Sequence, residues 1–485
     1  MRNKILLIAT VFTIFFGACK KGIDDVPETP TPPPTTSASQ ADLLKDSVFL
    51  YSKEVYLWND VIPTYEQFNP RQYSGSTELE AASNVMNGIR KLQPLDRFSF
   101  VTTKESSAGL QTGADVDLGF FIKAASIDRT DPVDSVFWFV TYVYDQSSAG
   151  KAGVQRGWYI SKINNTALTY SQASATILNE VFFGNTTSAS FEFVKPDGSR
   201  VTTNLTKSSF ISNSVLHKSV INAGGKKVGY LVFNQFFGGP SRTELNTAFS
   251  YFQGEGINEL VVDLRYNPGG STETQDDLAN LIAPVSANNQ VMYKYIFNNN
   301  LQQGNFPLLK RKPGFQNVSF SADINSQKFQ KSGNLNLGRV FFIVTGSSAS
   351  ASELLINNLK PYMDVKLIGD TTYGKPVGFF PIDVFNYSIY PISFKTVNSA
   401  GSADYYNGFA PDKLSPDGVN KNWGDVTEPS LASALKYITT GSFRISAASD
   451  NEFARQLRTQ KQYEPLTRKL EENKFSGMFI EKQRR

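Results

Sequence analysis

A serine-rich turn in the second half of the chain is the first candidate for chemistry. The stretch TGSSASASELLINNLKPYM, residues 345–363, holds four serines within SSASAS. An apolar segment typical of a buried strand precedes the serines and a helical pattern follows them, so they stand at a strand-to-helix junction. The unpaired N–H groups and positive dipole of a helix N-terminus would stabilise an oxyanion there. Helix capping, for which serine is a preferred residue, explains only one of the serines.

A serine hydroxyl needs a base before it can act as a nucleophile, and the chain offers few. Its single histidine, His217, lies in SNSVLHKSVI, and we expect it to be a structural residue on a strand. Lys375, in VKLIGDTTYGKPVGF, follows a predicted strand and a turn. Burial disfavours the charged form of a lysine and lowers its pKa, so a neutral Lys375 amine could accept a serine proton.

The turn and the lysine together resemble the C-terminal processing, or tail-specific, peptidases. The run SASASELLINNLKPYMDVKLIGDTTYGKPVG contains that family's S-A-S-A-S-E turn, a helix, a G-[DE]-x-[ST]-[FY]-G-K strand end, and a lysine 25 positions after the nucleophile. The resemblance implies that Ser350 is the nucleophile and Lys375 the general base. It also implies a serine endopeptidase with a crotonase/ClpP-like α/β protease core.

A second motif supplies the expected oxyanion hole. The run LVVDLRYNPGG, residues 260–270, resembles the family's D-L-R-x-N-x-G-G strand and loop. The resemblance implies that the N–H of Gly270, or of Gly269, joins the N–H of Ala351 in binding the oxyanion. Losing one such donor typically costs about 3 kcal/mol of transition-state stabilisation.

One position departs from the family pattern. Many members have a glutamine four residues after the lysine, where it holds the amine in place, and here that position is Phe379. The partner that orients the Lys375 amine is therefore left open. Ser352 and Glu353 are candidates, although a glutamate in the first turn of a helix is also explained by favourable interaction with the helix dipole.

Residues 106–208 are predicted to be a mainly β module that resembles the PDZ domain. The run SSAGKAGVQRGWYISKINNTAL follows the PDZ pattern, with Trp158 where aspartate is usual and Asn165 where glycine is common. Upstream, DLGFF resembles the PDZ carboxylate-binding loop and makes Leu118, Gly119 and Phe120 candidate peptide-binding residues. By itself that run would be the start of an ordinary strand. The resemblance implies capture of peptide C-termini, the peptide adding as a strand.

The first residues read as a targeting signal. MRNKILLIATVFTIFFGACK has two basic residues, an apolar run and then small residues, which is the layout of a signal peptide at 1–18. The single cysteine, Cys19, follows directly and resembles a bacterial lipobox, which implies lipidation. A plain signal peptide with an incidental cysteine is the alternative. We expect a lipid-anchored protein of the bacterial cell envelope, on its periplasmic or cell-surface side.

Composition limits the remaining function classes. Hydrophobic residues make up 40% of the 485 residues and charged ones 19%, a globular balance. The net charge of +4 comes from dispersed basic residues and gives no support for nucleic-acid binding. No apolar run reaches the roughly 18 residues that span a bilayer. No metal or organic cofactor is implied.

Strands alternating with helices after residue 226 predict an α/β core with a largely parallel sheet. The charged C-terminus is expected to form a helix exposed to solvent. The predicted segments are a signal peptide (1–18), a Pro/Thr-rich tether (19–40), a helical domain (41–105), a PDZ domain (106–208), the protease core (209–440) and a charged tail (441–485).

The function hypothesis is a serine endopeptidase with a Ser350–Lys375 dyad that recruits protein or peptide substrates by their C-termini. A catalytically inactive, peptide-binding lipoprotein of the same fold is the first alternative, supported by the missing glutamine. A crotonase-type acyl-thioester enzyme is a second alternative, which the export signal and the PDZ-like module disfavour.

Overall fold

The computed structural model describes residues 38–126, 136–444, 447–471, 475 and 477–481. The expected signal peptide, the lipidation site Cys19 and all but the last residues of the tether lie outside the described residues. Within the part that is described, no helix is both long enough and apolar enough to cross a bilayer.

The N-terminal helices pack on the main hydrophobic core of the chain. Thr77 caps α3 by accepting a hydrogen bond from the backbone N–H of Glu80. Val48 and Met86, on the buried faces of α1 and α3, belong to one apolar cluster with Leu355 of the α/β part. The elements of this segment are α1 (Gln40–Val55), α2 (Tyr65–Phe68), α3 (Glu78–Arg90), β1 (Phe100–Thr103) and α4 (Lys104–Thr112).

A β-rich module follows, with an apolar core of its own around Trp138, Phe191 and Phe193. Its main sheet has the order β3-β4-β5-β7-β8, so β3 lies at one end. A hairpin with Asp197 and Gly198 at its turn joins β7 to β8. The elements are β2 (Ala114–Asp117), β3 (Phe120–Ser126), β4 (Val136–Val143), α5 (Ser148–Lys151), β5 (Tyr159–Ile163), β6 (Thr166–Ala167), α6 (Gln172–Phe183), β7 (Ser188–Val194), β8 (Arg200–Thr206) and β9 (Ser208–Ile211).

The third part alternates strands and helices, which confirms the prediction of a mixed α/β fold. The strands and helices up to the second sheet are β10 (Val215–Ala223), β11 (Lys226–Phe233), α7 (Gly239–Glu255), β12 (Glu259–Asp263), β13 (Gly269–Ser271), α8 (Thr272–Ile282), β14 (Val291–Phe297), α9 (Asn299–Gln302), β15 (Ser326–Lys328), β16 (Arg339–Val344), α10 (Ala351–Leu359) and β17 (Asp364–Gly369). The later elements are β18 (Val377–Gly378), β19 (Ile382–Val384), β20 (Tyr387–Tyr390), β21 (Phe394–Asn398), β22 (Lys413–Leu414), α11 (Pro429–Thr440), α12 (Ala447–Glu471) and β23 (Gly477–Phe479).

The main sheet brings the two predicted motifs to the same edge. Its strand order is β10-β11-β12-β16-β17-β22, and every pair except the antiparallel β10–β11 runs parallel. Strands β12 and β16 are neighbours, so the loops that follow their carboxyl ends emerge side by side. One loop leads to the glycines of β13 and the other is the serine-rich turn before α10.

A buried ion network joins the β-rich module to the α/β part. The guanidinium of Arg156 lies 3.0 Å from the Asp417 carboxylate, and the guanidinium of Arg265 lies 3.0 Å from the same group. Arg265 also pairs with Asp263 at 2.7 Å and with Glu428 at 2.8 Å. Each charge is matched by an opposite one, which is the condition for burying such groups.

The prediction of a solvent-exposed C-terminal helix is wrong. Helix α12 lies against β3 and α6 of the β-rich module. Tyr463, Thr467 and Leu470 are buried and stand at positions i, i+4 and i+7, which form one helix face. That short buried stripe, which includes a threonine, is outweighed in the sequence by the charged residues around it. After α12 the chain returns to the α/β part and ends its described course in the buried strand β23.

Candidate active site

Ser350 occupies a strained position at the turn between β16 and α10. Its φ is 59° and its ψ is −106°, a conformation that costs a non-glycine residue free energy and persists only where the surroundings impose it. The residue is fully buried, and its Oγ has no hydrogen-bond partner among the described residues. Helix capping therefore does not explain this serine.

The neighbouring serines have structural hydrogen bonds. Ser348 Oγ donates to the carbonyl of Leu264 at 2.7 Å, and Ser352 Oγ donates to the carbonyl of Asn267 at 3.1 Å. Both bonds fasten the turn to the loop after β12. Ser350 differs from them because its hydroxyl is left available for another partner.

Glu353 organises the site through its carboxylate. It accepts hydrogen bonds from the backbone N–H groups of Ser350 at 2.9 Å, Gly374 at 2.7 Å and Lys375 at 2.8 Å, and from Thr372 Oγ1 at 2.6 Å. Burial raises the pKa of Glu353, while these hydrogen bonds lower it. One buried carboxyl group thus holds the serine turn and the lysine loop together, a wider role than helix stabilisation.

The Lys375 amine lies between two aromatic rings. Its Nζ is 4.5 Å from the ring centroid of Phe379 and 4.6 Å from that of Phe98. Burial lowers the pKa of Lys375 to about 7, although nearby Asp96 and Glu353 act in the opposite direction. Phe379 therefore contributes a ring face to the amine at the position where the family glutamine was expected.

The sequence interpretation missed the contribution of LDRFSF, residues 95–100. Asp96 is buried and accepts hydrogen bonds from the backbone N–H groups of Phe98 and Ser99, both at 2.9 Å. Its other oxygen accepts from Tyr56 Oη at 2.8 Å. These bonds fix the loop that carries the Phe98 ring to Lys375. The signal available in the sequence was the aspartate of LDRFSF, which lies between Leu95 and Arg97, but Lys375 is 279 positions further along the chain.

The glycines of β13 lie beside the serine turn. Gly269 and Gly270 have φ values of 107° and 137°, a region that strongly favours glycine. A Cβ built on Gly269 would lie 3.0 Å from Cβ of Ser350. The N–H of Gly269 donates to Asn267 Oδ1 at 2.9 Å, so it is already used within its own loop. Ala351 is the first residue of α10, where a backbone N–H has no partner inside the helix.

The remaining predicted residues lie elsewhere. Leu118, Gly119 and Phe120 lead into β3, where the side chains of Leu118 and Phe120 are buried in the core of the β-rich module. Gly119 has a φ of 81°, and its carbonyl accepts from the backbone N–H of Tyr144 at 2.8 Å. His217 lies on β10 with its Nε2 3.0 Å from Ser219 Oγ, so its side chain does not take part in the serine–lysine arrangement. Cys19 is outside the described residues.

Among the residues that the structure describes, no group of three His, Cys, Asp or Glu side chains is arranged to hold a metal ion. The arrangement around Ser350 instead brings together an unpaired hydroxyl, a lysine amine with a pKa near neutrality and backbone donors. These are the parts that acyl transfer requires.

Comparisons with known proteins agree with this chemistry. Residues 227–412 match the sequence model of Peptidase family S41. A CtpA-like serine protease of Staphylococcus aureus (strain N315), named as probable, is 24% identical over 320 residues, which are 66% of this chain and 56% of that protein. A protein of the same name from Staphylococcus saprophyticus is 24% identical over 318 residues, 64% of this chain and 56% of that protein. The chain thus spans little more than half the length of these relatives.

The fold also has a solved counterpart. A crystal structure from Bacteroides fragilis NCTC 9343, assigned by name to the S41 proteases, covers 86% of this chain and 100% of its own. The TM-score is 0.63 at 22% sequence identity, so this likeness concerns the fold. The resemblance to C-terminal processing peptidases predicted from the motifs is confirmed by the sequence matches. Residues 227–412 therefore match peptidase family S41, and the chain is similar in sequence to CtpA-like serine proteases.

Proposed function

We propose that the protein is a serine endopeptidase that uses a Ser350–Lys375 dyad. The observation that carries this proposal is the pairing of two residues. Ser350 is strained and buried, and its hydroxyl has no hydrogen-bond partner among the described residues; Lys375 is buried, and its pKa falls to about 7. Both are attached through their backbone N–H groups to the Glu353 carboxylate. A purely structural turn would not require either feature.

In the proposed mechanism the Ser350 hydroxyl attacks the carbonyl carbon of a peptide bond. The neutral Lys375 amine takes the hydroxyl proton and then gives it to the leaving amine. The N–H groups of Ala351 and Gly270 donate to the oxyanion of the tetrahedral intermediate. The acyl-enzyme formed at Ser350 is hydrolysed by water, with Lys375 acting again as the base.

Phe379 and Phe98 take the place of a hydrogen-bonding glutamine in this scheme. Their faces attract the ammonium form that arises after proton transfer, at a distance typical of cation–π contacts. Burial keeps the amine neutral before the reaction, and the rings stabilise the charge that develops during it. The missing glutamine is therefore weak support for an inactive protein.

The β-rich module is proposed to be a PDZ domain that recruits substrate C-termini, and the α/β part a crotonase/ClpP-like core. Strand β3 lies at the end of its sheet and follows Leu118 and Gly119, the arrangement in which a peptide could add as a strand. The backbone N–H of Ala124 on β3 donates to Thr467 Oγ1 of α12 at 3.0 Å. A peptide that binds along β3 must therefore displace α12.

The proposed location is the bacterial cell envelope, with a lipid anchor at Cys19 and the folded part on the periplasmic or cell-surface side. The support is the sequence pattern of residues 1–19. Metabolic labelling with a clickable fatty acid tests it. Wild-type protein should be labelled and Cys19→Ala should not, whereas equal labelling of both would contradict the lipid anchor.

Cleavage of an unfolded protein by the purified full chain in detergent tests the peptidase proposal. Ser350→Ala and Lys375→Ala should each abolish cleavage of casein and labelling by a fluorophosphonate. The matched controls, Ser332→Ala and Lys226→Ala, change exposed residues and should retain both activities. If Ser350→Ala cleaves casein as fast as the wild type does, the proposed mechanism is wrong.

A further inference from the structure

The C-terminal strand β23 lies on the strand that carries the oxyanion glycines. It pairs in parallel with β13, with Gly477 opposite Gly269, Met478 opposite Gly270 and Phe479 opposite Ser271. The backbone N–H of Gly477 donates to the carbonyl of Pro268 at 3.0 Å. An extended segment from the end of the chain therefore covers the edge of β13.

The other side of β23 is bonded to the segment that follows Lys375. The backbone N–H of Phe379 donates to the carbonyl of Met478, and the N–H of Ile480 donates to the carbonyl of Phe379, both at 3.2 Å. Met478, Phe479 and Ile480 are buried. The segment thus fills a groove whose two walls provide backbone hydrogen bonds, the form of site that holds an extended peptide.

Gly477 is the residue that lies next to the candidate catalytic groups. A Cβ built on it would be 2.7 Å from Lys375 Nζ and 2.7 Å from the ring of Phe379. Its carbonyl oxygen lies 2.5 Å from a Cβ built on Gly269, which in turn would lie 3.0 Å from Cβ of Ser350. The backbone of Gly477 therefore fits between the lysine and the serine turn, where a larger residue would not.

The groove continues beyond β23 into an open cleft. The cleft has a volume of about 900 Å³, and Ile480 and Glu481 form part of its wall together with residues of α4 and of β19. The cleft thus adjoins the C-terminal end of β23, at Ile480 and Glu481, and extended chain that follows β23 has room to continue there.

Helix α12 holds the C-terminal strand close to the groove. It is fixed to the β-rich module by the contact of Thr467 with Ala124 and by the rings of Tyr463 and Tyr170, 5.0 Å apart. Glu471, at its end, accepts a hydrogen bond from Ser347 of the serine turn at 3.1 Å. A segment tethered in this way has an effective concentration on the order of millimolar.

We propose that residues 477–481 occupy the substrate groove and act as an intramolecular competitor of the substrate. This proposal rests on the proposed peptidase function. The same contacts assign the substrate class. The groove takes an extended peptide in parallel alignment with β13, with a small residue beside Lys375 and apolar residues at the next three positions. Release of the segment opens the site.

Two variants of the full-length protein and one peptide test this proposal. Deletion of residues 476–485 and the substitution Gly477→Val should each raise kcat/KM for casein at least about tenfold, because either change removes the tethered competitor. The control Arg468→Ala changes an exposed residue of α12 whose charge pairs with Glu464, and it should leave kcat/KM unchanged. The Tm of each variant is measured alongside to verify folding.

Binding is measured separately from catalysis. A fluorescent peptide SGMFIEKQRR, residues 476–485, is titrated by anisotropy into chains that carry Ser350→Ala together with the deletion or with Gly477→Val. Saturable binding is expected in both, and a peptide with valine at the Gly477 position should bind at least about tenfold more weakly. If the truncated chain does not fold, the peptide titration can still be made with the Gly477→Val chain.

The outcomes separate the two proposals. Peptide binding without any cleavage of casein by the wild type or the variants would contradict the peptidase and support the groove assignment. Cleavage that depends on Ser350 but is not increased by either folded variant, with no peptide binding, would overturn the groove assignment and leave the peptidase in place.

Discussion

Replacing the Lys375 side chain by an apolar one of similar length tests whether burial keeps the Lys375 amine neutral. Burial lowers the pKa of Lys375 from 10.5 to about 7. The difference is roughly 3.5 pH units, and each is worth about 1.4 kcal/mol, so the buried ammonium costs the native state about 5 kcal/mol. The substitution Lys375→Met removes this cost and keeps most of the contact with Phe98 and Phe379.

The sign of the pH dependence follows from which state binds the proton. Between about pH 7 and 10.5 the unfolded chain carries a proton on Lys375 that the native chain lacks, so native stability rises with pH. Below pH 7 Lys375 is protonated in both the native and the unfolded chain, and the native state then bears the full free-energy cost of the buried ammonium. Relative to wild type, Lys375→Met should therefore be more stable by about 5 kcal/mol at pH 6.5 and by about 1 kcal/mol at pH 9.5.

Urea unfolding at these two pH values measures the difference, with Lys226→Met as the control at an exposed lysine. Since a change in packing contributes equally at both pH values, only the change with pH reports on the amine. A difference between Lys375→Met and wild type that is the same at pH 6.5 and 9.5 would refute a buried, neutral Lys375.

Three further predictions concern the groups around the dyad and the buried ion network. Glu353→Gln should lower kcat about 100-fold or more. It should also move the pH profile of kcat/KM to lower pH, because the charge of Glu353 raises the pKa of Lys375. A loss of kcat without that shift would mean that Glu353 has only a structural role. Phe98→Leu should shift the same profile downward by about half a pH unit, since one aromatic face worth about 0.5–1 kcal/mol to the ammonium is lost, and an unmoved profile would contradict the contact. Asp417→Asn should destabilise the protein by about 3–5 kcal/mol in urea unfolding at pH 7, because it leaves Arg156 and Arg265 short of a buried counter-charge. Burial by itself raises the pKa of Asp417, but nearby cations hold that pKa well below its usual range. The difference in unfolding free energy between Asp417→Asn and wild type should therefore become smaller as the pH falls below about 4. A difference that stays constant over this pH range would contradict the ion network.

Local pattern was enough to predict much of the fold and to select Ser350 and Lys375 as candidate site residues. Apolar strands alternating with helices predicted the α/β part, because such segments show their burial in their own composition. The serine turn and Lys375 were identified from a motif and a fixed spacing, and neighbouring parallel strands bring the serine turn and the glycine motif to one edge of the sheet.

The groups that surround the Lys375 amine could not be predicted in this way. The Phe98 ring and Asp96 come from a loop far earlier in the chain, and they reach the lysine because the N-terminal helices share the core of the α/β part. The pKa of an amine depends on what excludes water from it, and that is a property of the packed structure rather than of neighbouring residues in sequence.

The C-terminus illustrates the same limit. From the sequence it was a charged helix expected to face solvent. The buried positions among its described side chains, Tyr463, Thr467 and Leu470, are too few to stand out against the charges around them. Strand β23, which follows the helix, is short, and its sequence has no pattern that predicts which strand it pairs with. The amino-acid sequence determined which residues could react; only the tertiary structure decided that Gly477 lies between Lys375 and Gly269, because strand pairing over such a separation depends on which edge the folded core leaves open.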